Sequence, residues 1–159
     1  MTITAVRIDG RLIHGQVANL WVPKLNITRI MVVDNQVAQS QVEKQGLKLA
    51  TPAGVNLSVL PVEKAAENIL NNRYASQSVM ILVRGPEPLL ELVNLGVDIS
   101  KVNVGNMSQN DRTKSITKSI NVETKDIEIF EDLDNNGVKL THQMVPDSNE
   151  EDFMKLLKK

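Results

Sequence analysis

Two runs constrain the fold more than anything else in this chain. Arg29 to Val33 (RIMVV) and Ser78 to Val83 (SVMILV) are short and almost wholly apolar. An apolar run of that length, bounded by turn residues, reads as a strand buried in a sheet interior. SVMILV is the more apolar and belongs at the centre. Further strands are TAVRI (residues 4–8), VNLSVL (55–60), SKVNVG (100–105) and SINV (119–122). VKLTHQMV (138–145) alternates like a half-buried strand.

Helical patterns lie between these runs. QVANLW (16–21) forms one that Pro23 kinks or ends. QVAQSQVEKQGLKLA (36–50) brings Val37, Ala38, Val42, Leu47 and Ala50 near one helical face. PVEKAAENILNN starts with Pro61 as its first helical residue. PEPLLELVNLG closes at Gly96. TKDIEIFEDLDNNG takes Thr124 as its N-cap and stops at Gly137. SNEEDFMKLLKK is an amphipathic helix ending in lysines, with Phe153, Met154, Leu156 and Leu157 turned to its own core.

Strand–helix–strand repetition predicts an α/β fold, a parallel sheet covered by helices on both faces with right-handed crossovers. The functional crevice of such a sheet lies at the carboxyl ends of its strands. Four loops fall there: Asp9 to Gly15, Asp34 to Gln36, Arg84 to Glu87 and Gly105 to Arg112. No internal repeat, low-complexity tract or linker interrupts the 159 residues, which read as a single domain.

Composition removes several functions. There is no cysteine, which excludes disulfides, thiolate nucleophiles and sulfur-ligated metals. A net charge of −1 gives no nucleic-acid footprint. One Trp, one Tyr and two Phe are too few for a base-stacking platform. No apolar run approaches the ~20 residues that span a bilayer, and MTITAVRID lacks the pattern of a secretion signal, so the expected location is cytoplasmic.

The first loop carries the densest chemistry. RIDGRLIHGQV (7–17) holds two arginines, one aspartate, two glycines and one of the two histidines. His14 falls between a strand and a helix. The helix N-terminus, with the N–H groups of Gly15 and Gln16, favours an anion. Arg7 and Arg11 add fixed positive charge and phosphate-matching geometry. Gly10 and Gly15 let the backbone bend closely around a ligand. A neutral imidazole can attack phosphorus, so the loop suits a histidine that carries a phosphoryl group for a time. Asp9 either sets the imidazole tautomer or orients an arginine. The competing readings are a histidine satisfied by a backbone carbonyl, and a static anion site without a covalent step. A nucleotide site has little support, since neither GxGxxG nor GxxxxGK[ST] occurs.

RIDGRLIHGQV resembles the signature of the IIB subunits of the mannose/fructose/sorbose type of bacterial sugar phosphotransferase system. The likeness continues through VVDNQVA, LPVEKAAENI, LLELVNLGVDISKVNVGNMS and NVETKDIEIFEDLDNNGVKL, so it spans nearly the whole chain. The resemblance implies a three-layer α/β/α sandwich with a mainly parallel central sheet of six to seven strands. It implies that His14 accepts a phosphoryl group from a phosphohistidine on the IIA subunit. His14 then passes it to a sugar imported through the membrane IIC/IID subunits, as a protein-N(pi)-phosphohistidine–sugar phosphotransferase. The sugar class is mannose, fructose, sorbose or N-acetylgalactosamine. The chain would sit at the inner face of the membrane through IIC/IID, form homodimers, and need no metal or dissociable cofactor.

Other positions keep two readings each. Arg84, in an RGPEP segment where the family is more polar, reaches the phosphate or pairs with Glu87 or Glu91. Asp34 stands near the active loop or serves as a turn residue and helix N-cap. Gly105 and Asn106 replace a glycine pair common in the family, and the asparagine resembles members that handle N-acetylgalactosamine. Leu12, Ile13, Leu20 and Trp21 form a docking patch or pack into the core. His142 reads as a surface or edge-strand residue. Lys114, Lys118, Lys125, Lys158 and Lys159 are solvated or steer an acidic IIA surface.

Overall fold

The computed structural model describes residues 2–159. Strand β1 (Thr2–Asp9) leads through the histidine loop into a π-helix (Gln16–Trp21), which runs on as a short turn, α1 (Val22–Lys24). There follow β2 (Arg29–Val33), a 3₁₀ turn (Val37–Gln39), α2 (Gln41–Ala50), β3 (Asn56–Leu60), α3 (Val62–Leu70), β4 (Ser78–Val83) and α4 (Glu87–Asn94). The chain continues with β5 (Lys101–Asn106), β6 (Lys114–Ser115), β7 (Asn121–Val122), α5 (Thr124–Asn135), β8 (Lys139–His142), β9 (Glu151–Asp152) and α6 (Phe153–Leu157).

Seven strands make one sheet in the order β3-β2-β4-β1-β5-β8-β9. All its pairings are parallel except β8 with β9. β6 and β7 form a separate antiparallel ribbon. Alternate residues of one strand feed two cores, which is why RIMVV shows no polar alternation. Met31 and Val33 face α3, α4, α5 and α6 through Ala65, Leu89, Phe130 and Phe153. Ile30 and Val32 face the π-helix and α2 through Val17, Trp21 and Leu47. The result is the three-layer α/β/α arrangement with a mainly parallel sheet.

Adjacent strands β1 and β4 send their following helices to opposite faces, the π-helix to one and α4 to the other. That divergence opens a crevice at their carboxyl ends. It sets the histidine loop beside the loop that carries Arg84.

Several elements differ from the sequence reading. The 36–50 helix is broken at Ser40, whose hydroxyl caps α2 by accepting the Glu43 N–H. The Ser side chain competes for that backbone N–H and starts a new helix. Of the apolar residues assigned to its buried face, Val42 is 82% exposed, whereas Val37 and Leu47 are buried. Pro61 is the N-cap of α3 and not its first helical residue, and Glu123, not Thr124, is the N-cap of α5. Pro23, expected to kink or end its helix, lies one residue before the helix stops at Lys24. It falls where the π-helix reverts to α spacing, and the chain leaves two residues later. β8 is buried on both faces, because β9 pairs outside it and α6 covers it. Consequently His142 is neither at the surface nor on an edge. It is buried, with Nδ1 2.6 Å from the Val104 carbonyl. The terminal helix begins only at Phe153, whose ring centroid lies 4.7 Å from that of Phe130.

Candidate functional site: a histidine held by a buried carboxylate

Asp9 is the last residue of β1 and is fully buried. Its carboxylate is costly to bury and must collect donors. Oδ1 accepts the Arg11 backbone N–H at 3.0 Å, while the Asp9 carbonyl accepts the Leu12 N–H at 2.9 Å. These bonds fold the loop back on the strand end. Leu12 takes a left-handed conformation, φ 57°, and both Leu12 and Ile13 are buried. They anchor the loop in the core beneath the π-helix instead of forming a docking patch. Trp21 is buried with them, and only Leu20 of that set is exposed.

With its neighbours anchored, His14 is held at the rim. Its side chain is 17% exposed, and Nε2 lies 2.8 Å from Asp9 Oδ2. A carboxylate oxygen can only accept, so the proton of this contact lies on Nε2, and in the neutral ring Nδ1 then keeps the lone pair. The His14 carbonyl accepts the Ala18 N–H at 2.9 Å, so the imidazole stands at the start of the helix. The N–H groups of Gly15 and Gln16 belong to that first turn, where partial positive charge collects. A π-helical opening of this kind is common at functional sites.

The two arginines differ. Arg11 is 45% exposed, with Nε 3.5 Å from Asp9 Oδ1 and Nη2 donating to Gln16 Oε1 at 3.0 Å. It is free to meet an incoming anion. Arg7, expected to present its guanidinium to a phosphoryl group, is instead turned inward and 1% exposed. Burial pulls its pKa below the ordinary arginine value, and Asp9 opposes that shift. Nε and Nη2 donate to Asp9 Oδ2 at 3.4 and 3.3 Å. Nη1 donates to the Gln143 carbonyl at 3.0 Å and Nη2 to the Met144 carbonyl at 3.2 Å. The Trp21 ring lies 5.4 Å from the guanidinium carbon, and its indole N–H donates to the same Met144 carbonyl.

Gly105 and Asn106 act from β5. A side chain at Gly105 would overlap the Arg7 guanidinium, so glycine there makes the room that the arginine fills. The Asn106 carbonyl accepts the Gly10 N–H at 3.0 Å. Arg84 pairs with neither Glu87 nor Glu91. Its Nε lies 2.7 Å from Asp34 Oδ2 and its Nη2 donates to Gln36. Asp34 Oδ1 accepts the N–H groups of Gln36 and Val37, so it is also the expected turn cap. Arg84 lines a groove of about 260 Å³ together with Arg11, Leu12 and Ile13, and a cleft of about 690 Å³ together with Gly10, Asp34 and Ser108. All four strand-end loops thus meet around one crevice. Sequence reading missed Gln143 and Met144, because a backbone carbonyl leaves no signature in residue type. Among the described residues no helix is long and apolar enough to cross a membrane.

Comparison with known proteins shows which chains share this sequence and fold. The chain is 36% identical over 158 residues to the fructose-specific EIIB component of the phosphotransferase system (PTS) of Bacillus subtilis, covering 99% of this chain and 97% of that one. It is 38% identical over 159 residues to the mannose-specific EIIAB component of Escherichia coli K12, covering the whole of this chain and 49% of that longer one. The crystal structure of the IIBSor domain of the sorbose permease from Klebsiella pneumoniae superposes with a TM-score of 0.95 at 34% identity, covering 99% and 97% of the two chains. The family model described as the PTS system sorbose subfamily IIB component matches residues 3–159, and with these relatives it establishes that the chain belongs to that family of phosphotransferase IIB components.

Proposed function

We propose that His14 is the phosphoryl carrier of this IIB component and that Nδ1 is the nitrogen that bears the group. The observation that supports this is the 2.8 Å contact between Nε2 and the buried Asp9 carboxylate, which reserves the Nδ1 lone pair for attack. The donor is a phosphohistidine of the IIA subunit. Its N–P bond breaks as the bond to His14 Nδ1 forms, and its imidazole departs with the N–P electron pair. The Nε2 proton stays on His14, and Asp9 offsets the positive charge that spreads over the phosphorylated ring. Arg11 and the first N–H groups of the helix hold the phosphoryl oxygens. The second transfer goes to a hydroxyl of a sugar bound by the membrane IIC/IID subunits. Nδ1 then leaves with its lone pair, and the hydroxyl proton passes to solvent or to a base on the membrane subunits. The reaction asks for positioning and charge, not for a cofactor.

The same reading puts the chain in the cytoplasm, against the inner face of the membrane through IIC/IID, as one domain over residues 1–159 that can pair with a second copy. The decisive test supplies phosphoenolpyruvate, the general phosphotransferase proteins and IIA, then reads intact mass. One acid-labile phosphoryl group on the wild type and none on His14→Ala is the expected result. No phosphoryl group on the wild type, with IIA itself charged, would make the loop a docking or anion site only.

A further inference from the structure

Arg7 is too deeply placed to touch a phosphoryl group, yet its whole guanidinium is used. One side meets Asp9 Oδ2, the oxygen that also takes the His14 proton. The other side meets two backbone carbonyls from the loop after β8. That loop is itself fixed, since Asn103 of β5 donates to the Gln143 carbonyl at 3.1 Å and accepts the Gln143 N–H at 3.0 Å. Trp21 stacks near the guanidinium and shares its Met144 acceptor. Gly105 leaves the space. A buried guanidinium with two carbonyls on one side needs an anion on the other. Asp9 is that anion, which keeps it an acceptor for His14 and prevents its turning away.

We propose that Arg7 is a positioning residue for phosphoryl transfer. Braced by Trp21 and the 143–144 carbonyls, it fixes Asp9 so that His14 holds its proton on Nε2 and offers Nδ1. This rests on His14 being the phosphoryl acceptor. Arg7 forms and breaks no bond in the step; it selects the nitrogen at which the bond to phosphorus forms.

A double-mutant cycle on transfer from phosphorylated IIA separates this role from direct phosphate contact. Arg7→Met and Asp9→Asn should each lower kcat/KM by roughly ten- to hundredfold, the range for groups that orient a reacting side chain. The double variant should transfer no more slowly than Asp9→Asn alone, because both changes cut the same link. Losses that multiply would show that Arg7 meets the phosphoryl group itself, and would overturn the proposal. Nitrogen-15 NMR of the unphosphorylated wild type needs no variant to fold. It should show His14 protonated at Nε2 and the proton protected from exchange, whereas a proton on Nδ1 would overturn the proposal. Gly105→Ala keeps Arg7 in the chain but pushes it aside, and should lose that protected proton; its retention there would also count against the idea. If wild-type His14 takes no phosphoryl group, the carrier reading falls and the transfer role of Arg7 with it. Phosphorylation with multiplicative losses overturns Arg7 alone.

Discussion

The Gly10 N–H donates to the Asn106 carbonyl at 3.0 Å, and this bond ties the histidine loop to the end of β5. The approach is close. A side chain at residue 10 would come within 2.7 Å of Ser108 Oγ, 3.2 Å of Asn106 Oδ1 and 3.3 Å of the Ser108 amide nitrogen. The serine hydroxyl can rotate away, whereas the backbone nitrogen moves only with the loop. Gly10→Ala should therefore fold, cost about 1–2 kcal/mol by overpacking, and slow phosphoryl transfer. Urea denaturation beside a transfer assay checks both halves. Undiminished transfer would show that the spacing between the loops does not matter.

Arg11→Ala separates binding charge from architecture. The side chain is 45% exposed and its polar partners are Asp9 and Gln16, so stability should change by no more than about 1 kcal/mol. Losing one charge-assisted phosphate contact should cost about 1.5–3 kcal/mol, or roughly ten- to hundredfold in transfer rate. A wild-type rate would remove Arg11 from the proposed site.

Asp34 and Arg84 share an ion pair but not its importance. Asp34 also accepts two backbone N–H groups, and its side chain is nearly buried, whereas that of Arg84 is 36% exposed. Asp34→Ala should cost about 1–3 kcal/mol through the orphaned donors. Arg84→Ala should cost less than about 1 kcal/mol, as a half-exposed pair does. Equal midpoints in urea for the two variants would show that the ion pair, not the cap, carries the turn.

His142 is the second histidine and the natural control. It is buried, and its Nδ1 is committed to the Val104 carbonyl. His142→Gln should lower stability by about 1–3 kcal/mol, yet the protein should still accept one phosphoryl group by intact mass. Loss of phosphorylation in the folded variant would place His142 on the transfer route.

The two apolar runs that opened the sequence reading are β2 and β4 residue for residue, because burial on both faces leaves a continuous signal. The four strand-end loops were legible for the same reason, once the sheet was taken as parallel. RIDGRLIHGQV offers Asp9 either the imidazole or an arginine as its partner, and the geometry holds both, since Asp9 Oδ2 meets His14 and Arg7 together. What stayed hidden was of three physical kinds. Val42 and Leu49 are apolar yet more than four-fifths exposed, which no periodicity announces. β9 is two residues long, too short to read, and without it His142 looks like an edge residue. The acceptors of Arg7 lie 136 and 137 positions along the chain and are backbone atoms, so an arginine that looked like a phosphate ligand is bound inward.

β1 has a further consequence for timing. It is made first among the strands but sits between β4 and β5, so its neighbours come from residues 78–106. The carbonyls that hold Arg7 come later still, at Gln143 and Met144. On a growing chain, His14 therefore leaves the ribosome long before the carbonyls that brace Arg7 behind Asp9 are made. A chain stopped short of residue 143 would carry the histidine without the brace behind it. The site proposed for phosphoryl transfer is thus finished by the segment that follows β8, and a partly synthesised copy lacks the brace behind it.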